Sequence, residues 1–241
     1  MNLSRDTLFN GKLVIYQDSK GYRFAIDSIL LAGLTPIYDG ENVADLGCGS
    51  GVVGLICLFR NPTIKVAAVE IQPDFVALAR KNTHENRMED KMQVYHGDVR
   101  TVDKILKPAT FDAVVTNPPY RRANSGRLNP DEQKAIARHE IYGTIDDFLA
   151  AGYYLLKSKG RMAVVYPAQR LDDLIIAANR NHLRLKYLRL IYSYADSPAR
   201  LVFGLFRKNA GQELSVGPPF VIYANRKKEY TPEMKALYDA S

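Results

Sequence analysis

The chain has 241 residues, 46% hydrophobic and 24% charged, an ordinary make-up for a globular protein long enough to bury a substantial core. Its 33 Lys and Arg against 26 Asp and Glu give a formal charge of +7 and permit a polyanionic partner. Cys48 and Cys57 are too few for a disulfide framework, and with His84, His96, His139 and His182 they show no metal-ligand spacing, so no metal is expected. The longest apolar run, Val52 to Phe59, falls far short of the ~18 residues a membrane span needs. Met1 to Asp6 has no apolar signal region, and the expectation is a cytoplasmic protein with no membrane partner.

In chain order, Leu13 to Tyr16 and Tyr22 to Phe24 flank Ser19-Lys20-Gly21 and predict a hairpin. A helix should follow from Asp27, read as its N-cap, through Ile29, Leu30, Leu31 and Leu34. From residue 42 short apolar runs alternate with helical patterns. Strands are predicted at 43–46, 65–70, 92–95, 111–116, 162–166, 185–192 and 201–206, and helices at 52–60, from Pro73, at 145–156 and at 168–181. This alternation implies an α/β fold, a mostly parallel seven-stranded sheet with helices on both faces. The whole chain, 1–241, reads as one domain: a hairpin and helix over 1–41, a core over 42–208, and an extension over 209–241 in which Gly217-Pro218-Pro219 leads into Phe220 to Tyr223.

Asp45-Leu46-Gly47-Cys48-Gly49-Ser50-Gly51 joins the first core strand to its helix. Its glycines allow a tight turn and close approach by a ligand, at the carboxyl end of a strand where open α/β sheets bind ligands. Glu70 ends the next strand about twenty residues on, the usual place for a carboxylate that holds ribose hydroxyls. Asp98, after the third strand, can receive an exocyclic adenine amine. A plain β–α turn with two strand-end carboxylates explains each alone; together they point to a nucleoside cofactor. Gly49-Ser50-Gly51-Val52-Val53-Gly54 also spells the dinucleotide fingerprint, but it begins late in the turn and no hydride-transfer acid is evident downstream.

The fourth strand runs into Asn117-Pro118-Pro119-Tyr120. Two prolines cannot continue a central strand, so the chain leaves the sheet as a stiff extended edge. Asn117 Oδ1 and the Pro118 carbonyl suit the two N–H hydrogens of a planar amino group, and Tyr120 suits its face; an ordinary Asn-Pro turn is the alternative.

In order and spacing, the glycine loop, Glu70, Asp98 and Asn117-Pro118-Pro119-Tyr120 resemble the motifs of Rossmann-like S-adenosylmethionine (SAM) methyltransferases that modify planar amino groups. Tyr22 to Leu31, Ala137-Arg138-His139-Glu140, Gly217 to Tyr223 and Tyr230-Thr231-Pro232-Glu233 are similar to the bacterial tRNA adenine-N6 methyltransferase family, which acts on the adenine just 3′ of the valine anticodon. The resemblance covers nearly the whole chain. It implies SAM as cofactor, with Asp45, Gly47, Cys48, Gly49 and Gly51 around its methionine portion and Asp27 near that end. Glu70 would take its ribose and Asp98 its adenine. Asn117, also beside the cofactor, Pro118, Pro119 and Tyr120 would hold the target amine. Arg121-Arg122 departs from the small or apolar residue common there.

RNA, most simply tRNA, is the partner this resemblance implies, and Arg121, Arg122, Arg127 and Arg138 stand beside the catalytic edge as candidate phosphate contacts. The late clusters around Arg180 to Arg189 and at Arg226-Lys227-Lys228 fit a solvated surface equally well. Related enzymes with the same edge methylate a release-factor glutamine, rRNA guanine N2 or DNA bases, so the motif alone leaves the substrate open. The N-terminal forty or so residues do not read as the helical domain of the glutamine enzymes, and the chain has little room for a DNA-recognition domain. A non-catalytic binding protein and an NAD oxidoreductase are the readings from other classes.

Overall fold

The computed structural model describes residues 3–18, 26–119 and 143–239. Its N-terminal strands are β1 (Leu3–Leu8) and β2 (Leu13–Asp18), followed by helix α1 (Ile26–Leu34). Then come β3 (Asn42–Leu46), α2 (Val52–Arg60), β4 (Lys65–Glu70), α3 (Pro73–Glu85), β5 (Met92–His96) and β6 (Phe111–Thr116). The second half holds α4 (Ile145–Leu155), β7 (Leu156–Pro167), α5 (Leu171–Arg180), β8 (Leu183–Tyr192) and β9 (Ala199–Lys208). Two-residue strands β10 (Ser215–Val216) and β11 (Phe220–Val221) and the short helix α6 (Pro232–Ala236) complete it.

The main sheet has nine strands; without the two-residue pieces its order is β8-β9-β7-β6-β3-β4-β5. β5, β4, β3, β6 and β7 pair in parallel, while β9 is antiparallel to both β7 and β8. This is the expected mostly parallel sheet, with one reversed strand. Side chains alternate across it as the period of two requires. Val43, Val66, Ala113, Val115 and Val165 face the layer of α1, α2 and the hairpin, while Ala44, Leu46, Val114 and Val164 face α4, α5 and the turn at Val99–Lys104. Both faces are therefore covered.

Three local expectations change. The partner of β2 is β1, in a register from Leu3↔Asp18 to Leu8↔Leu13, whereas the expected strand at Tyr22 to Phe24 lies outside the described residues. Leu3-Ser4-Arg5-Asp6-Thr7-Leu8 carries too few apolar residues to announce a strand; pairing with β2 makes it one. Asp27 is not an N-cap but a buried residue in the first turn of α1. β7 begins at Leu156, six residues early, because Leu156 already pairs with Phe111 across an irregularity in the ladder.

On its other side, among the described residues, β2 is met by two asparagines four apart, Asn82 in the last turn of α3 and Asn86 just after it. Asn86 Oδ1 accepts from Val14 N at 2.9 Å and its amide donates to the Val14 carbonyl at 2.7 Å; Asn82 does the same for Tyr16, at 2.7 and 3.0 Å. Two side-chain amides thereby satisfy the backbone that a neighbouring strand would.

The C-terminal extension is pinned at two places. The buried Arg189 of β8 donates to the Pro218 carbonyl at 2.8 Å, pairs with Glu233 and lies over the Phe220 ring. Arg60, at the end of α2, donates to the Leu237 carbonyl at 2.8 Å and to the Gly33 carbonyl of α1 at 3.4 Å. The second contact also brings the last turns of α1 and α2 together. Arg161, near the amino end of β7's ladder with β6, donates to the Pro36 carbonyl just beyond α1. The start of α1, with Asp27, therefore lies at the opposite, carboxyl edge of the central strands. Among the described residues no helix is long and apolar enough to cross a membrane.

Candidate active site at the carboxyl edge of the sheet

Strand register gathers the motifs. Leu46 of β3 pairs with Val69 of β4 on one side and Thr116 of β6 on the other, and Val69 pairs with Tyr95 of β5. The residues that follow these partners, Gly47, Glu70, Asn117 and His96, thus emerge side by side with strand spacings of ~4.8 Å. Between β3 and β6 the chain's order reverses, which is where open α/β sheets form a ligand crevice. Thr116 Oγ1 ties the two strands by donating to the Leu46 carbonyl at 2.8 Å.

The glycine loop turns through left-handed backbone at Gly47 (φ 69°), Gly49 (φ 54°) and Gly51 (φ 82°), which side chains resist. A Cβ on Gly47 would lie 2.9 Å from the Phe148 ring, whereas one on Gly49 would meet nothing within 4 Å. Gly47 is therefore needed for packing, and Gly49 leaves an open surface that a ligand can approach.

Most of the loop's N–H groups are already used. Gly47 N and Cys48 N donate to the Val69 carbonyl at 2.9 and 3.1 Å, and Gly51 N donates to the Cys48 carbonyl at 2.9 Å. Gly49 N donates to Glu70 Oε2 at 2.9 Å, and Gly54 N, in the first turn of α2, donates to Asp45 Oδ2 at 3.1 Å. A dinucleotide's pyrophosphate would need these donors and the helix N-terminus; a carboxylate of the protein already sits there. The dinucleotide match in the sequence thus describes the turn and not an anion site.

Asp27, Asp45 and Glu70 are all buried at this edge, and among the described residues none has a basic partner. Burial pushes the Asp45 carboxyl up to about 7, against the pull of the Gly54 N–H, and the charge of Glu70 adds to the rise. Burial likewise raises Asp27 and, against hydrogen bonds from Gln72 and Gly49, Glu70. The Cys48 thiol is held well above its ordinary range by burial and by Asp45 and Glu70, so it is no nucleophile. Three buried carboxylates without a counter-ion favour a cationic ligand and disfavour a diphosphate. The site fits SAM, with its ammonium and sulfonium groups, on chemistry alone.

Asp98 reaches the same edge with its carboxylate already partly engaged. It caps the turn that follows, accepting from Arg100 N at 2.9 Å, and Arg100 Nε lies 3.0 and 2.9 Å from its two oxygens. The Arg100 hydrogen bond holds its carboxyl below the ordinary range. Sequence reading did not single out Arg100; the Asp-x-Arg spacing is the signal that could have done so. It also passed over Asn82, buried on α3, which donates to the Ser50 carbonyl of the glycine loop at 2.9 Å.

Asn117 presents the clearest chemical demand. Its Oδ1 is buried and has no hydrogen-bond partner among the described residues, although such atoms are rarely left unsatisfied in a folded protein. Pro118 beside it is buried and Pro119 half-buried. Tyr120, Arg121, Arg122, Arg127 and Arg138 lie outside the described residues. Among the described residues no cluster of His, Cys, Asp and Glu is arranged to hold a metal ion.

A model of the family described as the methyltransferase small domain matches residues 25–174. The chain belongs to that family. It is a SAM-dependent methyltransferase with a Rossmann-like fold. It has named relatives over most of its length. A protein of Flavobacteriaceae bacterium (strain 3519-10), named tRNA1(Val) (adenine(37)-N6)-methyltransferase, is 26% identical over 230 residues, 95% of each chain. Proteins of the same name from Tolumonas auensis and Porphyromonas gingivalis (strain ATCC 33277) are 27% identical over 93% of this chain and 92% of theirs, and 30% identical over 68% and 66%. Among solved structures, a predicted O-methyltransferase from Agrobacterium tumefaciens superposes with a TM-score of 0.74 at 20% identity, covering 89% of this methyltransferase and 96% of that chain. TrmN from Thermus thermophilus gives 0.52 at 19% identity, covering 76% and 48%. These structural likenesses carry the fold and no more.

Proposed function

We propose that this methyltransferase transfers a methyl group from SAM to the exocyclic N6 of an adenine in RNA, with tRNA(Val) beside the anticodon as its substrate, in the cytoplasm. The observation that carries the reading is the buried, unpartnered Oδ1 of Asn117 at the end of β6. An acceptor in that position is satisfied when a substrate N–H arrives. The names of relatives spanning 95% of the chain support adenine in tRNA as the group that brings it.

When bound, SAM supplies a methyl group on a positively charged sulfur, so the chain's task is placement. Asn117 Oδ1 and the Pro118 carbonyl accept the two N–H hydrogens of the amine, turning its lone pair out of the ring system and toward the methyl donor. Positioning of this kind can lower a barrier by ~7–11 kcal/mol. The methylated amine, briefly cationic, loses its proton readily to water, and no tuned base is required. Tyr120 stacks on the flipped base, whose unstacking costs a few kcal/mol and less from a loop than from a duplex. Glu70 holds the cofactor's ribose, and Asp98, kept ionised by Arg100, receives its adenine amine. Asp45, Gly47, Cys48, Gly49 and Gly51 surround the methionine portion with Asp27 near it. Arg121, Arg122, Arg127 and Arg138 bind flanking phosphates. We treat 1–241 as one catalytic unit whose core is 42–208.

Tritiated methyl transfer from SAM to total tRNA, rRNA, DNA and release factor, followed by nucleoside analysis, tests the reading. N6-methyladenosine in tRNA is the expected product. Label confined to protein or DNA, or recovered as methylated guanine, rejects it.

A further inference from the structure

The carboxyl edge of the sheet is not electrically uniform. Its β3–β4–β5 half carries the buried carboxylates described above. The β9–β8–β11 half instead presents Arg200 at the start of β9 and the turn that holds Arg226, Lys227 and Lys228, all four exposed. Asp196 pairs with Arg226, and Glu229 is held by the Asn225 amide. Among the described residues Lys227, Lys228 and Arg200 have no carboxylate partner.

The turn is rigidly built. Tyr223 and Tyr230 bridge its base, the Ala224 N–H donates to the Glu229 carbonyl at 2.8 Å, and Asn225 Oδ1 accepts from Lys227 N at 3.0 Å. Beneath it Tyr194, Tyr223, Tyr230 and Tyr238 form a ladder with ring centroids 5.5, 5.5 and 5.3 Å apart, and Arg226 lies over the Tyr194 face at 4.2 Å. Thr231 ties the ladder to β11 through the Val221 carbonyl at 2.7 Å. The backbone that carries Lys227 and Lys228 is thus held in place, so binding does not have to order the turn itself.

Register gives the turn its place. Thr116 is level with Val164, Gly204 and Leu188, and the chain continues past that level to Tyr192, beside which Val221 pairs. The turn therefore overhangs the same edge as Asn117. With ~4.8 Å between strands and ~3.3 Å per residue, it stands on the order of 25 Å from the end of β6.

We propose that the Arg226-Lys227-Lys228 turn is a second contact for the RNA, gripping its phosphate backbone at a distance from the reacting base. The proposal rests on the RNA reading above and adds the surface along which the substrate lies. Only a polyanion longer than one nucleotide reaches both places, and exposed Lys and Arg are the side chains that make phosphate contacts.

The test compares the Lys227→Ala/Lys228→Ala variant with Lys65→Ala/Lys107→Ala, which removes the same charge from exposed sites near the amino ends of β4 and β6. For the turn variant KM for whole tRNA should rise roughly tenfold, and the slope of log affinity against log salt should fall by about 1.5. The control pair should change neither, and calorimetric SAM affinity should be unaltered in both. Unchanged KM and salt slope in the turn variant, or equal losses in the control, overturn the proposal. Wild-type enzyme that methylates no RNA would instead overturn the reading beneath it, so the two failures are distinct.

Discussion

Asn82 holds Ser50 through a 2.9 Å hydrogen bond from its side-chain amide to the Ser50 carbonyl, with the same side chain that replaces a strand beside Tyr16. One fully buried residue thus joins the N-terminal hairpin, α3 and the glycine loop. Asn82→Ala strands buried polar groups at ~1–3 kcal/mol each. We expect a loss of ~2–4 kcal/mol in denaturant unfolding together with weaker SAM binding by calorimetry. A variant that is destabilised yet binds SAM with wild-type affinity would show that the hairpin and loop are not coupled.

Asn117 should show the opposite pattern. Its Oδ1 is an unsatisfied buried acceptor, so Asn117→Ala removes a cost of ~1–3 kcal/mol from the folded state. Stability is expected to stay level or rise, and SAM affinity to change little, while methyl transfer falls by at least ~10²-fold. Equal losses in turnover and in SAM binding would remove Asn117 from the role of amine holder.

Asp45 makes stability depend on pH. Burial pushes its folded pKa up to about 7, well above the ~3.9 of an unfolded aspartate. Between these values the folded chain holds a proton that the unfolded chain has released, so stability falls as pH rises and the contribution is gone above about 7. The size is on the order of 4 kcal/mol. Asp27 and Glu70, raised by burial as well, act in the same direction. Without ligand the melting temperature should drop from pH 5 to pH 8, and SAM should bind more tightly over that range. Asp45→Asn should flatten both trends; an undiminished slope in that variant would place the titration elsewhere.

Gly47 and Gly49 separate packing from ligand access. Both sit at positive φ, where a side chain costs ~1–2 kcal/mol. Gly47→Ala also drives a methyl to 2.9 Å from Phe148 and should lower stability by a further ~1–3 kcal/mol. Gly49→Ala, with no atom of the described residues within 4 Å of the new methyl, should fold well and lose at least tenfold in SAM affinity by the ~1.4 kcal/mol-per-decade relation. Normal SAM binding by Gly49→Ala would mean the cofactor does not approach that surface.

The core strands were legible because Val43, Val66, Val114 and Val164 lie in short apolar runs bounded by turns, and their alternation with helices fixed the sheet type. β1 was not, since its identity comes from pairing with β2. Asp27 read as a cap because its burial against the sheet leaves no local trace. The site's motifs were readable in order along the chain, and strand register explains why: Gly47, Glu70 and Asn117 each follow residues paired across β3, β4 and β6. The sequence could not reveal that Asp45 and Glu70 consume the donors a phosphate would want, nor that Arg100 grips Asp98. Those facts belong to contacts whose partners only the folded chain brings together.

Asp27, Asp45 and Glu70, buried and without a basic partner among the described residues, bear on the order of events in a turnover. If SAM binds beside them as proposed, they hold its sulfonium more strongly than the neutral thioether left after transfer, so loss of the methyl group itself weakens the grip on the spent cofactor.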